Sequence, residues 1–150
     1  MARYRGAWRR FEIVKTKPFI LISDYGHNPQ KALATLVAAR EKYPKKKIWC
    51  LYQPHQYERT YFLFNDFVKA FRKVPIDRLI ITDIFDVAGR ESGRIRQQVD
   101  SQKLVRAVNK ESVSYLPKNE AVPYLKKNVR PGEVLIIMGA GDIYKIVDKL

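Results

Sequence analysis

Cysteine is nearly missing from this chain. Cys50 stands alone, so no disulfide can form within the chain and a hydrophobic core must hold the fold. Its apolar surroundings predict a buried thiol in a reducing compartment. Histidine is almost as scarce, at two residues, His27 and His55. Two histidines with no third ligand at a suitable spacing disfavour zinc, so no metal site is expected. Neither sits beside a serine or cysteine in a nucleophile-elbow context, which disfavours acyl-enzyme chemistry. There is no long apolar run and no signal-peptide pattern, which predicts a soluble, cytoplasmic protein with no membrane partner. No GxxxxGKS or GxxxxGKT occurs, so this chain carries no P-loop of its own. Acidic residues are also short, 15 against 29 Lys and Arg, for a net charge of +14. Such a surplus suits polyanionic partners or an anionic substrate. It is scattered over Lys42, Lys45 to Lys47, Lys69, Arg72, Lys73, Lys126 and Lys127, as on a solvated basic face.

What is present is enough for one domain: 150 residues, 46% of them hydrophobic. Trp8 to Val14 reads as a strand, Lys15 to Pro18 as a turn and Phe19 to Ile22 as a second strand, together an antiparallel hairpin. Helical patterns cover Pro29 to Lys42, with Leu33, Leu36, Val37 and Arg40 on one side, and Arg59 to Arg72, with Phe64, Phe67, Val68 and Phe71 as a core stripe. Further helices are expected at Ser101 to Asn109, at Lys118 to Asn128 if Pro123 falls in its first turns, and from Asp142 to about Lys149. Strands are expected at Lys47 to Tyr52, Arg78 to Thr82, Ser112 to Tyr115 and Val134 to Met138. Ala88 to Asp100 reads as a long Gly- and Arg-containing loop, a candidate for function.

After the hairpin, strand and helix alternate. That order predicts an α/β fold, a Rossmann-like mostly parallel sheet flanked by helices, with the antiparallel hairpin at its edge. Right-handed crossovers bring the carboxyl ends of such strands to one edge, where ligands bind. Polar clusters fall on that edge repeatedly: Asp24 and His27, His55 and Arg59, Asp83 and Asp86, and Gly139 to Asp142. Asn28 is a suitable N-cap and Pro29 a suitable first helical residue, so Asp24, Tyr25 and His27 sit at a mouth beside a helix N-terminus. Gly139-Ala140-Gly141 lacks the third glycine of a dinucleotide fingerprint and is weak evidence for a phosphate contact.

The motifs DYGHNP, QPHQYERT, DIFDVAGRE and MGAGDI, in this order, resemble the C-terminal domain of the Mur ligases. The likeness runs from Trp8 to Leu150, includes Arg9-Arg10-Phe11-Glu12, and is nearest to the UDP-N-acetylmuramate–L-alanine ligases. It implies an ATP-dependent amide ligase of peptidoglycan synthesis. In such a ligase ATP phosphorylates the muramate carboxylate, the L-alanine amine attacks the acyl phosphate, and phosphate leaves. The implied cofactors are ATP and Mg, with the Mg ligands in a central P-loop domain. That domain and the UDP-binding one are not in this chain and are expected in cis or in trans, so the isolated chain is expected to be inactive.

Carried onto this sequence, the resemblance implies catalytic roles for His27 and Arg59. It implies ATP-facing positions for Asp24, Tyr25 and Asn28, and amino-acid binding by His55, Tyr57 and Arg59. Arg59 would hold a carboxylate or acyl-phosphate oxygen; the plainer alternative is a first-turn helix charge. Three positions depart from the family pattern. Ser23 replaces an Asp and Asn28 a His, while Gln56 replaces an Arg and so removes a charge-assisted contact of roughly 1.5–3 kcal/mol. Arg90 or Arg94 is a candidate replacement. Two rival readings are another amide ligase of the superfamily and a basic nucleic-acid-binding module. The second is disfavoured because the cations scatter and no RRM-like strand motif occurs.

Overall fold

A computed structural model of the chain describes residues 10–86 and 93–150. Its strands are β1 (Glu12–Lys15), β2 (Ile20–Asp24), β3 (Ile48–Tyr52), β4 (Arg78–Ile81), β5 (Val113–Tyr115) and β6 (Val134–Met138). They form one six-stranded sheet in the order β1-β2-β6-β3-β4-β5. β1 pairs antiparallel with β2, and the other pairings are parallel. This is the predicted architecture, edge hairpin included.

The apolar runs in β3 and β6 have no polar alternation because both faces of the sheet are covered. Ile48, Cys50, Tyr52, Val134, Ile136 and Met138 point to one face, packing with Leu36, Phe67, Phe71 and Leu104. Trp49, Leu51, Leu135 and Ile137 point to the other, packing with Leu125, Ile143 and Ile146. The first face is covered by α1 (Pro29–Lys42), α3 (Phe64–Lys73) and α5 (Ser101–Val108), the second by α6 (Lys118–Asn128) and a 3-10 helix, Asp142–Lys149. Cys50 is fully buried, as expected, and burial pushes its thiol far up in pKa.

Several local expectations need correction. The helix expected over Arg59 to Arg72 begins at Tyr57 and breaks at Leu63, giving α2 (Tyr57–Phe62) and α3. After the break α3 packs Phe67 and Phe71 into the core, while α2 buries only Thr60. α1 buries Ala32, Leu36 and Ala39, and Val37 turns to solvent. Arg40 instead anchors the helix end, donating to Asp77 at 2.7 Å and to the Pro75 carbonyl at 2.8 Å. Pro123 lies past the first turn of α6, and the helix continues through it. The final helix is of the 3-10 kind. Gly93–Arg96 forms a short helix, α4, inside the segment expected to be a loop, while positions 88–92 and Trp8 lie outside the described residues.

Candidate functional site

The carboxyl ends of four strands are tied edge to edge by backbone bonds. Gly139 N–H donates to the Asp24 carbonyl at 3.1 Å, Gln53 N–H to Met138 at 2.9 Å, and Thr82 N–H to Tyr52 at 2.9 Å. The loops leaving β2, β3, β4 and β6 therefore start level, along one rim.

Asp24 closes β2, and its carboxylate turns inward. It is buried and accepts from Gly26 N–H at 2.8 Å, Phe11 N–H at 2.9 Å and Thr35 Oγ1 at 3.3 Å. That tight turn throws Tyr25 and His27 outward, their rings edge to face at 5.4 Å. Asn28 caps α1, accepting from Lys31 N–H at 2.8 Å, with Pro29 next, as the sequence predicts.

Beyond β3 the chain bridges to the loop after β4. Phe85 N–H donates to Pro54 and Gln56 N–H to Phe85, both at 2.8 Å. The bridge stacks the His55 ring on Phe85 at 5.4 Å, with planes 14° apart. Gln56 then takes φ 69°, ψ 137°, a backbone region that L residues rarely adopt, and this strained residue swings the chain into α2. The first turn of α2 carries Arg59.

Three side chains meet electrostatically on this rim. Burial lowers the pKa of His27, and the charge of Arg59 lowers it further, against a backbone hydrogen bond at Tyr25. Burial also lowers that of His55, followed by the charges of Arg59 and His27. Both imidazoles are therefore neutral at pH 7, and each has a buried Nδ1 without a hydrogen-bond partner. Arg59 is half-buried, and among the described residues no carboxylate pairs with its guanidinium. Below it lies Tyr52, fully buried with an unpartnered hydroxyl. Burial drives that phenol's pKa up, and the Arg59 charge pulls it back. A fixed cation with two neutral imidazoles can hold an oxyanion and pass a proton beside it.

Tyr57 is flanked from α4: the Arg96 guanidinium lies 5.6 Å from its ring centre and also pairs with Asp86. Of the two arginines expected to supply missing charge, Arg90 lies outside the described residues and Arg94 is exposed on α4. The α4 arginine over Tyr57 is Arg96.

Sequence reasoning missed Gln53. It is buried, donates from Nε2 to Asp142 Oδ1 at 3.0 Å, and accepts from Ile143 N–H at 3.2 Å. Asp142 in turn pairs with Lys118 at 2.5 Å. Burial pushes the Asp142 pKa up, but the hydrogen bonds from Lys118 and Gln53 outweigh it and hold the carboxyl below its ordinary range. The Gly139-Ala140-Gly141 turn packs under this network. A Cβ on Gly141 would stand 2.5 Å from Phe85 Cγ and 2.7 Å from Gln53 Oε1. Glycine is required there for close packing. Asp83 accepts from the Tyr115 hydroxyl and from Lys118 N–H at 3.1 Å; burial and then Asp83 push the Tyr115 phenol up to about 12. The available signal for Gln53 was a polar residue directly ending an apolar run, before a proline.

Residues 9–141 match the family model described as "Mur ligase, glutamate ligase domain". The chain is 43% identical over 146 residues to a UDP-N-acetylmuramate–L-alanine ligase of Acetivibrio thermocellus, covering 95% of this chain and 30% of that protein. The crystal structure of a UDP-N-acetylmuramate–alanine ligase from Thermotoga maritima aligns with TM-score 0.66 at 26% identity, over 97% of this chain and 30% of the other. A bifunctional folylpolyglutamate synthase/dihydrofolate synthase from Yersinia pestis, complexed with AMPPNP and Mn ion, shares the fold with TM-score 0.60 at 15% identity, over 96% of this chain and 32% of the other. The chain thus spans about 30% of the length of the curated relatives it matches.

Proposed function

This chain belongs to the Mur ligase family through its glutamate ligase domain, and from that premise we propose that it is the C-terminal domain of an ATP-dependent UDP-N-acetylmuramate–L-alanine ligase. The observation that carries the reading is the unpaired, half-buried Arg59 beside the two neutral histidines on an open rim. A guanidinium with no internal carboxylate is a ready partner for one from a substrate, or for an acyl-phosphate oxygen. On this reading Arg59 stabilises the developing oxyanion, His27 serves the reacting carboxyl end, and His55 and Tyr57 flank the amino acid. A neutral imidazole suits this place because it can take a proton from the amino acid's ammonium group and so free the amine that attacks. Gln56 brings no charge, so the amino-acid carboxylate falls to Arg59.

Toward ATP the rim offers positive charge to the phosphates. Among the described residues no group of three or more His, Cys, Asp or Glu comes together, and the free charge at the rim is positive. On the family resemblance, Mg belongs with the P-loop of the central domain. Tyr25 faces the nucleotide with its exposed ring, while Asp24 and Asn28 act through the turn and the cap that present it. UDP-N-acetylmuramate, L-alanine and the remaining domains, in cis or in trans, are the partners, and among the described residues no helix is long and apolar enough to cross a membrane.

The test is the complete ligase assembled with Arg59→Ala. Loss of one such contact to a transition-state oxyanion lowers kcat about 10²–10³-fold. Wild-type turnover with L-alanine, glycine and L-serine alike would refute the assignment, and calorimetry with the three amino acids reads out the specificity.

A further inference from the structure

The amino edge of the sheet, opposite the rim, holds a second polar concavity. It opens where β3 and β6 begin and α6 ends, has a volume of about 410 Å³, and its lining includes Lys47, Trp49, Arg78, Tyr124, Arg130 and Glu133. Its charge is lopsided, because Glu133 is the one carboxylate in the lining. That carboxylate is already engaged: it accepts from the Trp49 indole N–H at 2.8 Å and from Arg130 N–H at 2.9 Å. Among the described residues Lys47, Arg78 and Arg130 have no ion-pair partner. All three are exposed, and the Lys47 ammonium lies 4.7 Å from the Trp49 ring centre. The adjoining hollow shares Lys47 and Arg78 and adds Lys110, Asp77 and Glu111. There Asp77 is committed to Arg40 and to Ile48 N–H, both through Oδ2. Tyr124 stands on Trp49 at 6.5 Å, edge to face, and 38% of its surface remains open as one wall.

Three like charges around a concavity repel one another, and the fold sets only the Glu133 carboxylate against them, leaving a net charge of +2 in the lining. Low-dielectric walls focus their field outward, and guanidinium groups match phosphate oxygens in pairs. We propose that this cleft binds a polyphosphate chain, either inorganic or carried on a nucleoside, at a site separate from the reaction rim.

The test follows the Trp49 indole N–H by NMR, identified by its loss in Trp49→Phe. Inorganic tripolyphosphate is titrated into the 150-residue chain. A saturable shift is expected in wild type and equally in Arg59→Ala, which separates this site from the rim. Arg78→Ala with Arg130→Ala weakens binding at least tenfold, and lysine at both positions, which keeps the charge but not the fork, weakens it less. Lys69→Ala with Lys73→Ala, on the exposed face of α3, leaves it unchanged. Mg-free ATP distinguishes the sources: a nucleoside ligand binds more tightly than tripolyphosphate and loses that margin in Tyr124→Ala, while a bare chain does neither. Absence of a shift overturns the proposal. So does equal weakening in both double alanine variants, which would mean diffuse attraction to net charge, or tighter binding of a single-stranded oligonucleotide than of tripolyphosphate.

Discussion

Two sets of polar side chains share the rim, and they are built on opposite terms. Asp24, Gln53, Asp83, Tyr115, Lys118 and Asp142 bond to one another or to local backbone. His27, His55 and Arg59 stand beside them with a fixed charge and two buried nitrogens unpartnered. A fold able to satisfy the first set could in principle have satisfied the second. The difference separates scaffold from site: saturated groups hold loops in place, and unsatisfied ones await a ligand. It also changes how the DYGHNP motif works, because its one carboxylate belongs to the scaffold and its imidazole to the site.

The largest effects should come from the saturated set. Asp24→Ala strips the acceptor from two backbone N–H groups and from Thr35, and should cost about 3 kcal/mol of unfolding free energy in urea at pH 7. A loss below about 1 kcal/mol would mean that water replaces the carboxylate and the comparison fails. Gly141→Ala drives a methyl into Phe85 and Gln53, and should cost about 1–3 kcal/mol by the same measurement. The damage should reach His55, whose ring rests on that Phe85.

Arg59→Ala is the counter-test. The site set contributes few contacts, so the variant should unfold within about 0.5 kcal/mol of wild type while the rim loses its capacity to hold an anion. A large loss of stability would move Arg59 into the scaffold and break the distinction.

The strands and most helices were legible because apolar period and cap chemistry agree at each of them. Asn28-Pro29 starts α1, and Asn109, in the left-handed conformation, ends α5. The rim was legible as a set of strand ends, since alternating strand and helix force them to one edge. What escaped was the division within the rim. Nothing in DYGHNP distinguishes a carboxylate turned inward to three donors from one turned outward. Nor does the pattern around Leu63 announce a break, because the aromatic spacing of α3 runs on unchanged. Gln53 and Asp142 lie far apart in the chain, and their pairing depends on β6 lying between β2 and β3.

The smallest effect is also the most selective. With only two histidines in the chain, an NMR titration reports the site directly. Both folded-state pKa values lie below the ordinary 6.5, first from burial and then from Arg59. The unfolded chain therefore takes up protons near pH 6.5 that the folded chain refuses. Stability from these residues is intact above 6.5 and is lost as the pH falls from there through the folded values. Arg59→Ala removes the second cause and leaves the first. Both histidines should then titrate closer to 6.5, without reaching it, and unfolding should depend less steeply on pH as it falls below 6.5. An unshifted titration would mean that Arg59 does not act on the imidazoles. A full return to 6.5 would mean that burial contributes nothing, and that the two nitrogens without partners are in contact with water. Either result would dissolve the contrast, since groups that feel neither each other nor desolvation do not form a site.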